Sequence, residues 1–167
     1  MKTQSIAFLA LFCLGVDPIQ TSAQIIPDSV YSSPAVNQHD ECQTALRNVK
    51  EKVSNAGGFV DQLYFSNDFQ YHNQPSGVTR RVFLSLGGSG AENIFNSPIF
   101  LTSLSQTIFD NCSSTGLVNV HIPNPNRVDD YGLVNGKAQK FVDCSMEILR
   151  RNGLGIGSYI WGVQDCA

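Results

Sequence analysis

The sequence predicts an α+β domain in which two antiparallel helices pack on one face of a mainly antiparallel sheet, in the order α-β-β-α-β-β-β, with two disulfides. Apolar residues recur every three to four positions in two segments, as in amphipathic helices, and alternate with polar residues in the predicted strands. Each helical segment is followed by strands, an order typical of α+β domains. Four cysteines beyond the N-terminal segment form an even set, which suits two bridges in an exported domain.

The first 23 residues have the pattern of a secretory signal peptide. Lys2 supplies a positive charge, residues 6–16 form an apolar run, and Ala23 ends a group of small residues of the kind that signal peptidase recognises. The apolar run is too short to span a bilayer as a helix, so we do not expect a transmembrane protein. We expect cleavage near Ala23 and a secreted or periplasmic location.

Next comes a polar segment, residues 24–39, which contains Pro27 and Pro34 and is predicted to be an extended leader. A single α+β domain is expected over residues 40–167. Its first helix is predicted over residues 40–56, where one stripe holds the apolar residues Cys42, Ala45, Leu46, Val49, Val53 and Ala56. Gly57-Gly58 follows and ends the helix, because glycine readily adopts the left-handed conformation of a helix terminus.

Two strands are predicted over residues 59–65 and 78–86, where apolar and polar side chains alternate. The second helix begins at Ser97-Pro98, since serine is a good N-cap and proline is tolerated at the first helical position. Its apolar stripe ends at Cys112, and a third strand is predicted over residues 117–122.

Turn signals divide the rest of the chain. The segment PNPNRVDD, residues 123–130, is predicted to be a loop, because proline cannot donate to a strand ladder. Asn135-Gly136 predicts a hairpin turn between the last two strands. The glycine-rich tail from Ser145 is predicted to be mostly coil, with a short helical turn near residues 146–150.

This order of elements predicts how the cysteines pair. Antiparallel helices place the start of the first beside the end of the second, which favours Cys42–Cys112 and leaves Cys144–Cys166 to hold the tail. No pair of cysteines has the close spacing of a zinc site, and the three histidines are scattered, so we predict no bound metal.

The glycine cluster GGSGA at residues 87–91 follows a strand and invites comparison with nucleotide-binding loops. A dinucleotide fingerprint requires a third glycine or alanine, and Asn93 stands at that position. Phosphate binding also requires the loop to end at a helix N-terminus, whereas six residues separate Gly90 from the predicted helix start at Ser97. We therefore predict no nucleotide cofactor, and no cofactor of another kind.

The same cluster is one residue short of the nucleophile elbow of serine hydrolases, with Ser89 as its nucleophile. A histidine base must converge on that serine, and His121 is the downstream candidate. No complete catalytic constellation is present, so Ser89 and His121 are weak candidates and a flexible connection is the alternative.

Aromatic residues on loops give the better indication of a binding site. Tyr64, Tyr71 and His72 lie on or beside the loop after the first strand, and Trp161 lies in the tail. Such side chains stack on sugars or anchor a protein partner, although they also cover the edge of a small core. The net charge of −3 argues against a nucleic-acid partner.

Several motifs resemble those of small uncharacterised secreted proteins of cyanobacteria. These are Cys42 opening a helix, the GG that ends it, SLGGSGAENIFNSPIF leading into a helix that ends DNC, YGLVNGKAQKFVDC, and WGVQDC. The resemblance implies export and an α+β fold, and it carries no catalytic residues.

These observations together predict an exported, disulfide-stabilised domain that acts as a non-catalytic binding or surface protein, with an unknown protein or a glycan as its partner. A small secreted serine hydrolase that uses Ser89 is one alternative, and a secreted inhibitor or effector is the other.

Overall fold

The structure is a computed structural model that describes residues 34–155 and 159–164, with side chains described from residue 38 onwards. Its helices and strands follow the chain in the order α1 (Pro34–Asn55), β1 (Phe59–Ser66), β2 (Arg80–Gly87), α2 (Ala91–Phe95), α3 (Pro98–Asn111), β3 (Thr115–Pro123), β4 (Asn126–Val134), β5 (Lys137–Lys140) and α4 (Met146–Arg151). The predicted α+β class is confirmed. None of the helices in these two ranges is long and apolar enough to cross a membrane.

The five strands form one sheet in the order β1-β2-β3-β4-β5, so each strand neighbours the next one along the chain. Three of the neighbouring pairs are antiparallel, and β2 with β3 is parallel. The parallel pair arises because α2 and α3 form the crossover that joins β2 to β3. The sheet is therefore mainly antiparallel, as the sequence predicts.

One face of the sheet packs against α1 and α3. Side chains on a strand alternate between faces, so every second residue of β2 and β3 enters this core. The core is fully buried and combines Val82, Leu84 and Leu86 of β2 and Val118, Val120 and Ile122 of β3 with Val49 and Val53 of α1 and Leu101, Leu104 and Ile108 of α3. The opposite face, which we call the open face, lacks this layer and carries the candidate site.

The predicted bridge between Cys42 and Cys112 is confirmed. It joins the N-terminal half of α1 to the residue that ends α3, while Gly58, just beyond the C-terminal end of α1, lies beside Ile94 of α2. The two long helices are therefore antiparallel, as predicted. Cys166 lies outside the described residues, so the Cys144–Cys166 bridge remains a prediction.

Two predicted boundaries are wrong. The helix α1 begins at Pro34, inside the segment predicted to be an extended leader, because proline suits the first turn of a helix as well as it suits a loop. Cys42 therefore lies about two turns into the helix. The strand β4 begins at Asn126, inside the segment predicted to be a loop. Only Asn124 and Pro125 turn the chain, and Pro123 pairs with Asn126 at the end of the ladder, where a missing N–H is tolerated.

The helix count also differs from the prediction of two. The short helix α4 lies where a helical turn was predicted, and Ser145 caps it by accepting a hydrogen bond from the Ile148 N–H at 3.2 Å. The helix α2 was not predicted at all. Five residues are too few to display a helical repeat, and α2 begins directly after Gly90.

Candidate functional site

A row of side chains crosses the open face at the middle of the sheet. Tyr64 of β1 pairs with Phe83 of β2, Phe83 pairs with Asn119 of β3, and Asn119 pairs with Asp130 of β4. Paired residues on neighbouring strands point to the same side of a sheet, so these four form one row. The row changes from aromatic to polar along its length.

This row is the floor of a groove of about 1200 Å³. The loop after β1 and segments after β5 form its walls. The lining residues are Tyr64, Asn67, Asp68, Phe69, Gln70, Tyr71, Arg81, Phe83, Asn119, Val128, Asp129, Asp130, Asp143, Cys144, Tyr159 and Gln164. Pockets for small molecules usually measure about 300–1000 Å³, so this groove has room for a ligand of more than one ring.

The aromatic end of the floor is a half-exposed platform. The rings of Tyr64 and Phe83 stack with their centroids 5.0 Å apart and their planes 27° apart. Tyr64 is 50% exposed and Tyr159, on a wall, is 42% exposed. Phe83 in turn contacts the ring of His121, with centroids 5.6 Å apart. Tyr64 is thus held in place by its neighbour while much of its surface faces solvent.

A cluster of aromatic rings builds the wall opposite β1. Tyr71 contacts Tyr159 and Trp161 edge to face, each with centroids 5.5 Å apart, and it also contacts Phe141. Phe141 packs over Gly132 of β4, where a Cβ atom would lie 2.1 Å from the Phe141 ring. The missing side chain at Gly132 therefore leaves room for the aromatic cluster to pack on the open face at one side of the groove.

The polar end of the floor is buried. Asn119 is 8% exposed and Asp130 is 3% exposed, and the Asn119 Nδ2 donates a hydrogen bond to an Asp130 carboxylate oxygen. The Asn119 Oδ1 is buried and has no hydrogen-bond partner within residues 34–155 and 159–164. The Asn119 amide thus uses one of its two N–H groups on Asp130 and leaves its carbonyl oxygen as an unsatisfied acceptor at the floor.

Carboxylates outnumber cations around the groove. Arg81 donates to Asp68 at 2.9 Å, and Lys140 lies 2.6 Å from the Asp129 carboxylate. The exposed Asp143 is a further carboxylate at the groove, and Arg81 is the one basic side chain among the described lining residues. The groove is therefore acidic as well as aromatic.

The four aromatic and histidine side chains predicted to bind are placed differently. Tyr64 and Tyr71 both line the groove. His72 lies outside it and pairs through its backbone with Ile160. Trp161 lies behind the wall, where its Nε1 donates to the Leu133 carbonyl oxygen at 3.1 Å, so it supports the cluster from the side.

Sequence reasoning missed the polar end of the floor. Asn119 is a polar residue inside the mainly apolar strand LVNVHI, and that polar position is the available signal. The sequence places Asp130 in a predicted loop, whereas the structure places it in β4. The sequence places Phe83 on a strand but does not show that Tyr64 and Asn119 lie beside it on the neighbouring strands.

Ser89 and His121 are not joined by a hydrogen bond in the part of the chain that the structure describes. Ser89 is exposed in the turn between β2 and α2. His121 pairs along the ladder with Ser85, and its Nε2 lies 2.8 Å from the Asn126 Oδ1. The arrangement therefore lends no support to a catalytic pair.

The glycine cluster has a packing role. The Gly90 N–H donates to the Gly57 carbonyl oxygen at 3.1 Å, and a Cβ atom on Gly90 would lie 2.6 Å from the Gly57 carbonyl carbon. A Cβ atom on Gly87 would lie 2.5 Å from the Phe59 ring. The cluster lets the turn after β2 pack against the turn after α1. The expected gap of six residues before the next helix is wrong, because α2 fills it.

Within the described ranges, no group of three or more His, Cys, Asp or Glu side chains is placed to hold a metal ion. No protein-family model matches the chain, and neither a curated protein nor a solved structure matches it. The geometry of the groove is therefore the basis for any functional conclusion.

Proposed function

We propose that this chain is an exported, non-catalytic binding domain that holds a glycan in the groove of the open face. The observation that carries the proposal is the row formed by Tyr64, Phe83, Asn119 and Asp130, which sets an aromatic platform beside buried polar groups. Export rests on the signal-peptide pattern, and the Cys42–Cys112 bridge is compatible with it.

The chemistry of a sugar ring matches this row. A pyranose presents C–H groups on its faces, which pack on an aromatic ring, and hydroxyl groups at its edge, which need hydrogen-bond partners. Tyr64 and Tyr159 offer partly exposed rings, and Asn119, Asp130 and Asp143 offer amide and carboxylate oxygens. The volume of about 1200 Å³ suits an oligosaccharide better than a single ring.

The two alternatives receive less support. A serine hydrolase requires Ser89 to meet a base, and the His121 ring instead contacts Phe83 and Asn126. An inhibitor or effector requires a protein partner, and the polar, concave floor of the groove is less suited to a protein surface than to a chain of sugars.

The test is binding of the mature, oxidised protein to an array of oligosaccharides, followed by calorimetry on the best ligand. We expect Tyr64→Ala to weaken binding at least about tenfold, because it removes the platform, and Tyr64→Phe to retain most of the affinity. The matched control is Ile99→Ala, which truncates a side chain that is 86% exposed at the start of α3.

Circular dichroism of each variant shows whether the fold is intact. Equal affinity of the Tyr64→Ala variant and the native protein would contradict the proposal, and so would native protein that binds no glycan on the array.

A further inference from the structure

We infer that the glycan bound by this groove carries a free amino group, as its ammonium ion, over the polar end of the floor. This inference rests on the proposed function and adds the chemical class of the sugar. It follows from three features of the groove: the hydrogen-bond inventory of the floor, the balance of charge around it, and the aromatic rings beside it.

The hydrogen-bond inventory favours a ligand group with several donors. One of the two N–H groups of the Asn119 amide is used by Asp130, while the Asn119 Oδ1 is a buried acceptor with no partner in the described part of the chain. An ionised carboxylate also only accepts hydrogen bonds. An ammonium has three donors, so it can bond the Asn119 Oδ1 and a neighbouring carboxylate together, whereas a hydroxyl has a single donor.

The balance of charge favours a cation. Arg81 is the basic side chain among the described lining residues, and its charge is compensated by Asp68 at 2.9 Å. Asp143 is exposed at the groove and has no ion pair in the described ranges. A carboxylated or sulfated sugar would meet like charge here, while an amino sugar meets opposite charge.

The aromatic rings beside the polar end of the floor also favour a cationic ligand group. Phe83 lies next to Asn119 in the row, and Tyr64 stacks on Phe83. The faces of aromatic rings carry negative electrostatic potential and attract cations. An amino sugar therefore gains from the platform twice, through its C–H groups and through its charge.

The experiment compares four oligosaccharides of equal length by calorimetry with the mature, oxidised protein at about pH 6, where an amine is largely protonated. The four ligands are β-1,4-linked glucosamine, its N-acetylated form, β-1,4-linked glucose, and an oligogalacturonate as the anion. We expect glucosamine to bind at least about tenfold more tightly than glucose or the N-acetylated form, with an advantage that shrinks as salt rises. The oligogalacturonate should bind most weakly.

The matched variants are Asp143→Asn and Asp130→Asn, which keep the size of each side chain and remove its charge. We expect each to reduce the preference for glucosamine over glucose at least about threefold, because the lost charge acts on the ammonium more than on a neutral sugar. The control is Glu51→Gln, which removes an equal charge from the exposed surface of α1. Because Asp130 is buried, Asp143→Asn keeps the test decisive if the other variant does not fold.

The outcomes separate the two proposals. Equal affinity for glucosamine and glucose overturns the inference and leaves the glycan site standing, as does an unchanged preference in the Asp143→Asn variant. Failure of all four oligosaccharides overturns the proposed function. Binding of an oligolysine peptide without binding of the glucosamine oligosaccharide shows a site for a cationic peptide and overturns both.

Discussion

Gly90 belongs to a motif that resembles a ligand-binding loop, but its role is to let two turns of the chain pack closely. Its backbone φ of −86° is open to any residue, so its glycine is not required by conformation. Glycine is required for a steric reason, because any side chain at position 90 would collide with the turn after α1. The sequence could display the glycines but not the turn that packs on them, because that contact joins residues more than thirty positions apart.

Gly90→Ala should lower the free energy of unfolding by about 2 kcal/mol, because the added methyl group meets backbone atoms that cannot yield without moving the turn. Urea denaturation measures the loss. Gly155→Ala is the matched control, since no atom lies within 4 Å of the position of its Cβ atom and its φ is not in the left-handed region. Equal stability of the two variants would show that the close approach at Gly90 does not exist.

At the scale of elements, the sequence predicts long periodic segments well, and it predicts short helices and strand boundaries less well. α3 and β2 display their apolar stripes over many residues, and both lie within a few residues of the predicted bounds. α2 is too short to show a period. The predicted start of β4 is too late, because the prolines that end β3 and turn the chain were taken to exclude a strand from the whole segment 123–130.

The packing of α1 on α3 also explains why one disulfide pairing could be predicted. The bridge closes a sequence separation of 70 residues. The double variant Cys42→Ala with Cys112→Ala should lose about 4 kcal/mol of unfolding free energy, because the unfolded chain regains the entropy of that open loop. Thermal and urea unfolding of the variant and the native protein provide the measurement. A loss below about 1 kcal/mol would contradict an origin in the unfolded chain.

At the scale of the whole molecule, the two faces of the sheet have different roles. One face buries the apolar core under α1 and α3, and the other carries the row from Tyr64 to Asp130. Predicting this row from sequence required the register of four strands at once, including the parallel pair of β2 and β3. Tyr64 and Tyr71 could be named as binding candidates from their loop context, but Asn119 and Asp130 depended on the register.

We expect ligand to bind on the open face of the sheet and not near the glycine turn. A two-dimensional ¹H–¹⁵N NMR titration of the mature protein with the β-1,4-linked glucosamine oligosaccharide tests it most directly. We predict that the largest amide shifts fall on Tyr64, Phe83, Asn119 and Asp130 and on the walls around them, with little change in α1. Shifts concentrated around Ser89, or on the helical layer, would contradict the account.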